Sequence, residues 1–383
     1  MKSKCKICDH NLEIGQKIDL GALPFYYGKS NVKYENLMSN EKLNAVLQQC
    51  SSCGIIQQYQ DWTLRKKINL IYESESSSQS TSMSKSDMGI KRARSFFDNT
   101  KFIFQPKSVL EIGCQDGYLL YELYKTGAEN VRGIEPSPQT PYGDSDFVPE
   151  IIQDYFSEEI FPEKNFDTVI SLWVFEHIEN SIDFLNGIHT VLKEDGQLII
   201  AVPNAENQIY YGDPGMFIYE HLFYFTRQSL NYILQLARFE IVDINTTRSD
   251  IYVTAKKSNQ IYSNTITKEK DLNLINDYSI ALNNVIESFN KHISNFDKIG
   301  FWGACPTTIN LIKMVDLSNY VIFDSDKSKI GTIVSGLDAE VKEPTRENFI
   351  KFVDIVCISP LGAQEVLSKH LSKIKFPYFN LFN

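Results

Sequence analysis

Residues 108–135 read SVLEIGCQDGYLLYELYKTGAENVRGIE, and they leave the chain few folds to choose from. An apolar β-type run ends in Glu111-Ile112-Gly113-Cys114-Gln115-Asp116-Gly117. A helical pattern follows over 118–124, then a second short strand over 131–134, closed by Glu135. Strand, glycine turn, helix, strand and terminal acid, in that order, are the layout of a nucleoside-binding α/β unit. The glycines let backbone approach a ligand closely, and a carboxylate at the strand end can accept both ribose hydroxyls.

The details of the turn discriminate between ligands. A dinucleotide needs a third glycine so that its pyrophosphate rests on the helix N-terminus. Here the pattern is Gly113-x-x-x-Gly117, and Asp116 sits where a phosphate would be repelled. S-adenosylmethionine has no phosphate and carries an ammonium that an acidic loop can hold. It is therefore the expected cofactor, with NAD as the competitor. The expected cofactor-binding residues are Glu111, Gly113, Cys114, Asp116, Gly117, Glu135 and Pro136. Asp154 and Tyr155 join them in IIQDYF, where a third strand's end would reach the adenine, with Ser171, Val174 and His177 from SLWVFEHI at the fourth strand's end.

Strands are expected at 109–112, 131–134, 166–172, 197–202, 241–246 and 251–255, and a helix at 226–236. Alternating strands and helices predict a parallel sheet covered on both faces. The last two strands lack a helix between them and should form an antiparallel hairpin, as in class I methyltransferases. A second α/β pattern begins at Lys298: KIGFWGACPTTINLI gives strand, Gly300-x-x-Gly303 and a helix opening at Pro306, a favoured first helical position. Later strands end at Asp324 and in VDIVCIS. The expected division is 1–85, 86–258 and 259–383, in keeping with 383 residues and two or three domains.

Four of seven cysteines form two pairs, Cys5-x-x-Cys8 and Cys50-x-x-Cys53. Four thiolates so spaced suit one tetrahedral structural zinc, and the gap between the pairs costs little loop-closure entropy. Cys114, Cys305 and Cys357 read as small buried hydrophobes. The stretch 72–86 is Ser-rich, a linker or a loop that orders over a ligand. No apolar run approaches a membrane span, and the N-terminus lacks a signal-peptide core. The expectation is a soluble, cytoplasmic protein. A net charge of −10 argues against nucleic acid as partner, even though the first 70 residues carry ten Lys/Arg against six Asp/Glu.

The segment GDPGMFIYEHLFYFT, 212–226, clusters Tyr219, Glu220, His221 and Tyr224 after the fifth strand. A histidine beside a carboxylate is a common general base near neutral pH, so His221 is the expected base. His10, His292 and His370 read as surface, and His189 as structural.

Together these pieces resemble one family, the sugar C-methyltransferases that act on nucleotide-linked deoxy-ketosugars. CKIC, IDLGALP and CSSCGIIQ match its zinc-binding module. VLEIGCQDGYLL, IEPS and VFEHI match its methyltransferase domain, and IGFWGACPTTINLI with VIFDSDKSKIGT matches its C-terminal Rossmann-like domain. The resemblance implies an α/β fold: a central class I methyltransferase sheet with a terminal hairpin, flanked by a zinc module and a second Rossmann-like domain. It implies S-adenosylmethionine and structural Zn2+ as cofactors, a nucleotide sugar as substrate, and no nucleic-acid or membrane partner. Oligomeric state is left open, with a monomer as default. The family's Tyr-His-Glu-His motif falls on Ile218, Tyr219, Glu220 and His221, so two positions depart from it, and its tyrosine-rich segment is ESESSSQS here. An O-methyltransferase on the same scaffold, an NAD-dependent sugar-modifying enzyme and a non-catalytic binding protein are the competing readings.

Overall fold

The computed structural model describes residues 4–12, 16–24, 44–59, 62–73, 83–85, 87–100, 107–258, 272–334, 336–337 and 339–382. Most of the Ser-rich stretch lies outside these residues. The chain divides into two compact units. One comprises Met1–Gly15, Cys50–Asn204 and Leu222–Leu272; the other comprises Gln16–Gln49, Ala205–His221 and Asn273–Asn383.

The first unit is built on seven strands: β1 Ser108–Ile112, β2 Asn130–Ile134, β3 Glu150–Ile152, β4 Phe166–Leu172, β5 Leu192–Pro203, β6 Phe239–Thr246 and β7 Asp250–Lys257. Their order is β6-β7-β5-β4-β1-β2-β3. Strands β3, β2, β1, β4 and β5 run parallel, and β7 pairs antiparallel with both β5 and β6. The expected terminal hairpin is therefore present, and the fold is the expected α/β methyltransferase type. Burial explains the strand sequences. β1 is buried at every position, as an apolar strand covered on both faces must be, whereas β6 alternates because it is an edge. Phe161, Phe166, Val169, Leu198 and Ile200 form the core on one face, joined by Cys5, Leu12, Cys50, Cys53 and Ile55. The paired cysteines thus share the sheet's own core.

Helices cover both faces, and their ends are legible. Gly117 precedes helix Tyr118–Lys125, which buries Tyr118, Leu119, Leu120 and Leu123. Thr226 and Ser229 form a capping box at the start of helix Arg227–Leu236.

The second unit holds a six-stranded sheet: β8 Ile299–Trp302, β9 Tyr320–Phe323, β10 Ile333–Val334, β11 Ala339–Lys342, β12 Ile355–Ile358 and β13 Tyr378–Asn380. The order is β10-β11-β9-β8-β12-β13, with only β10 antiparallel to its neighbour. Helix Leu274–Ile293 and an antiparallel hairpin of Gln16–Ala22 with Asn44–Gln49 belong to the same unit. Among the described residues no helix is long and apolar enough to cross a membrane.

Candidate functional site

Ile112 ends β1 and hands over to a turn in which Gly113 and Gly117 both take φ of 75°. A Cβ at Gly113 would collide with Val174 Cγ2, and one at Gly117 would lie 2.8 Å from Pro149 Cγ. Both positions need glycine for conformation and for space. The turn is fastened to the second strand. Gly113 N–H donates to the Ile134 carbonyl at 2.8 Å, and Gln115 N–H donates to Glu135 Oε2 at 3.1 Å. Ser137 holds the other Glu135 oxygen, its N–H and hydroxyl donating to Oε1 at 3.0 and 2.6 Å. The carboxylate is thereby fixed at the carboxyl end of β2, where an open α/β sheet binds ligands.

Asp116 is 1% exposed and accepts from the Tyr118 N–H at 3.3 Å. It also accepts from the Ser84 N–H at 3.1 Å and the Ser84 hydroxyl at 2.5 Å. One carboxylate thus holds the helix's first N–H and pins the short 3-10 turn Met83–Lys85. Glu111 is buried too. Burial, reinforced by the charges of Asp116 and Glu135, holds its carboxyl well above the usual range. Glu111 Oε2, Gln115 Oε1 and Ser171 Oγ are buried polar atoms with no hydrogen-bond partner among the described residues. Ser171 lies opposite Ile112 in the β1–β4 register. Such atoms along one sheet edge are suited to a polar ligand, because an unsatisfied buried polar group otherwise costs stability. Bound there, S-adenosylmethionine would find a ribose acceptor in Glu135 and an acidic loop for its ammonium.

The remaining expected cofactor residues fall as follows. Cys114 is buried, and Pro136 is half-buried between Glu135 and Ser137. Val174 packs on Gly113. Asp154, two residues past β3, is exposed and accepts from the Tyr155 N–H at 2.7 Å. The Tyr155 hydroxyl donates to Glu73 Oε1 at 3.2 Å, and burial pushes its phenol up to about 12. His177 follows β4; its Nδ1 lies 2.9 Å from the Tyr72 hydroxyl, and its carbonyl accepts from Arg65 at 2.8 Å.

Of the expected catalytic residues, Tyr219, Glu220 and His221 belong to the second unit. Tyr219 is buried, its hydroxyl donates to the Leu23 carbonyl at 3.1 Å, and burial pushes its phenol up to about 12. Glu220 is buried, and desolvation pushes its carboxyl up to about 8. His221 is half-buried, its N–H donating to the Ile218 carbonyl at 3.1 Å. Tyr224 belongs to the first unit, in a short strand that pairs Tyr224 with Ile56.

The four paired cysteines converge. Cys5 Sγ lies 3.5 Å from Cys53 Sγ and Cys8 Sγ lies 3.6 Å from Cys50 Sγ, with all four sulfurs within 4.8 Å of one another. Tetrahedral Zn–S bonds place sulfurs about 3.8 Å apart. The two knuckles share one backbone pattern. Asp9 N–H donates to the Cys5 carbonyl and Gly54 N–H to the Cys50 carbonyl, each at 2.9 Å, and both donors take positive φ. Donor set, spacing and burial all fit a structural zinc.

Residues 88–244 match the methyltransferase domain family. They form a class I, S-adenosylmethionine-dependent methyltransferase domain. Curated relatives include the tRNA U34 carboxymethyltransferases of Idiomarina loihiensis, 31% identical over 24% of this chain and 32% of that protein, and of Hydrogenovibrio crunogenus, 31% identical over 27% and 35%. The chain spans about a third of the length of these relatives. Among solved structures, the Burkholderia thailandensis 1,6-didemethyltoxoflavin-N1-methyltransferase, determined with S-adenosylhomocysteine, is similar at 18% identity and a TM-score of 0.33, covering 40% of this chain and 72% of its own.

Within the methyltransferase domain, residue-by-residue reading missed Ser137, which holds Glu135. It also missed two residues that reach the domain's edge from earlier in the chain, Ser84 at Asp116 and Tyr72 at His177. Only Ser137 had a signal, since a serine two residues past a strand-end carboxylate can turn back to it. The other two contacts join distant parts of the chain.

Proposed function

We propose that this chain transfers the methyl group of S-adenosylmethionine to a carbon of a nucleotide-linked deoxy-ketosugar, with His221 removing the acceptor proton. The observation that carries the methyl-transfer reading is the Gly113–Gly117 turn locked onto the Glu135 carboxylate. The sugar reading is supported by the order of the cysteine pairs, the methyltransferase motifs and the second α/β pattern along the chain. It is also the ground for reading the chain as three consecutive modules and the cysteine cluster as a zinc site. A ketone acidifies the adjacent C–H. His221 would take that proton to give an enolate carbon; S-adenosylmethionine, when bound by the Gly113–Gly117 turn and Glu135, would supply the methyl group to that carbon and retain the bond's electron pair on sulfur as S-adenosylhomocysteine. Alignment of donor and acceptor supplies most of the rate.

A second reading, methyl transfer to a sugar hydroxyl, is favoured by one observation. The Tyr219 hydroxyl, which stands where the resembled family has histidine, donates to the Leu23 carbonyl within the protein. The tRNA named for the curated relatives is a weaker candidate, because a chain of net charge −10 repels a polyanion. The test is a turnover assay with dTDP-, UDP- and GDP-linked 4-keto-6-deoxyhexoses, their reduced 4-hydroxy forms, and tRNA. We expect activity on a keto-sugar, and His221→Ala lowering kcat by roughly 100-fold or more while S-adenosylmethionine still binds. Methylation of the 4-hydroxy sugar alone would establish the second reading, and methylation of tRNA alone would end both.

A further inference from the structure

The second sheet repeats the backbone pattern of the first unit's Gly113 turn. Gly303 N–H donates to the Phe323 carbonyl at 2.8 Å, and Ala304 N–H donates to Asp324 Oδ2 at 2.9 Å. These bonds parallel those of Gly113 and Gln115. Lys329 Nζ donates to Asp324 Oδ2 at 3.2 Å and to the Ala304 carbonyl at 2.9 Å. Pro360 packs so tightly on Gly303 that a Cβ there would collide with it, and the Thr308 and Ser359 hydroxyls bond at 2.5 Å.

The same unit holds its own segment 212–217. Asp213, buried, accepts from the Thr307 hydroxyl at 2.8 Å and from the Gly215 N–H at 2.7 Å. Thr307 is the second residue of helix Pro306–Met314, whose N-terminus favours a carboxylate. Asn310, one turn further on, donates both amide protons to the segment, to the Pro214 and Phe217 carbonyls, each at 2.9 Å. Tyr278, fully buried in helix Leu274–Ile293, donates its hydroxyl to the Asp213 carbonyl at 2.9 Å. Gly215 lies against Thr307 so closely that a Cβ would sit 2.6 Å from the Thr307 nitrogen. Four residues later come Tyr219, Glu220 and His221.

We infer that the second sheet acts as a clamp on the 212–221 segment, with Asp213 and Asn310 as positioning residues for His221. The inference rests on the reading of His221 as the base. It gives the second unit a role in turnover, because a displaced base of about 1 Å can cost on the order of 100-fold in rate.

The test uses the full chain and two readouts. Backbone amide exchange in D2O reports whether 212–221 is held, and turnover on dTDP-4-keto-6-deoxyglucose reports its consequence. Asn310→Ala and Asp213→Ala should speed exchange in 212–221 by about tenfold or more. They should lower kcat by roughly 10–100-fold with little change in KM for S-adenosylmethionine. Asp213→Asn, whose carbonyl oxygen still accepts from Thr307 and Gly215, should restore most of the rate. Thr307→Val substitutes if either alanine variant fails to fold. Unchanged exchange in 212–221, or equal loosening of the β1–β5 amides, overturns the clamp. Faster exchange with full turnover, where His221→Ala is inactive, overturns the positioning role. Full activity of His221→Ala overturns the base reading, and the exchange result still decides the clamp.

Discussion

Glu176 shows how much burial decides at a single residue. It lies 1% exposed just after β4, and desolvation pushes its carboxyl up to about 8. The sign follows from linkage. A raised folded-state pKa means that the folded state favours the neutral form. Its contribution is complete below the ordinary value of 4.5 and is lost as pH rises to about 8. Glu176→Gln, neutral at every pH, should therefore match the wild type near pH 4.5 and exceed it increasingly above. The gain should level off beyond pH 8 at on the order of 2–5 kcal/mol. Urea unfolding across pH 5–9 measures it, and a pH-independent difference would refute it. Sequence placed this residue at the sheet's carboxyl edge, in SLWVFEHI, but could not give its burial, because burial of a carboxylate is a property of what packs around it.

At the scale of elements, the β1 turn and the cysteine knuckles were the most legible parts of the chain. Both depend on local rules: a glycine where φ is positive, and a C-x-x-C spacing that lets two sulfurs share a centre. Gly113→Ala should be costly. It places a Cβ against Val174 Cγ2 at φ 75°, a strain on the order of 1–3 kcal/mol. We expect a lower Tm and at least about tenfold weaker S-adenosylmethionine binding by calorimetry. Unchanged affinity would mean that the cofactor does not approach this turn. For the knuckles, Cys53→Ser should abolish stoichiometric zinc in metal analysis. It should also lower Tm by roughly 5–10 °C, because Cys53 and its partners sit in the sheet's own core. Loss of metal with no change in Tm would separate the site from stability. The second turn, Gly300-x-x-Gly303, has two glycines where a dinucleotide turn has three. Its contacts with Lys329 and Pro360 were not legible, since those residues lie 26 and 57 positions from Gly303 in the chain.

For the molecule as a whole, periodicity and turn chemistry determined the existence and type of the six expected strands of the methyltransferase sheet, with most limits within two residues; the limits of the short β3 and the strand order across the sheet came only with the structure. Periodicity and turn chemistry also determined its terminal hairpin and the presence of a second parallel sheet. These features are written in nearest-neighbour terms: continuous apolar runs for covered strands, alternation at the β6 edge, and glycine or proline where an element starts or stops. The tertiary structure alone decided which distant residues share a unit. Segments from three parts of the chain make each one, so Cys5 and Cys53 join the sheet's core while 16–49 and 205–221 belong with the second sheet. It alone decided that Ser84 reaches Asp116, that Asp213 reaches Thr307, and that Glu111 is a buried carboxyl. The physical reason is common to all three. Local propensity is summed along a few residues, whereas desolvation and long-range hydrogen bonds depend on atoms brought together only when the cores close.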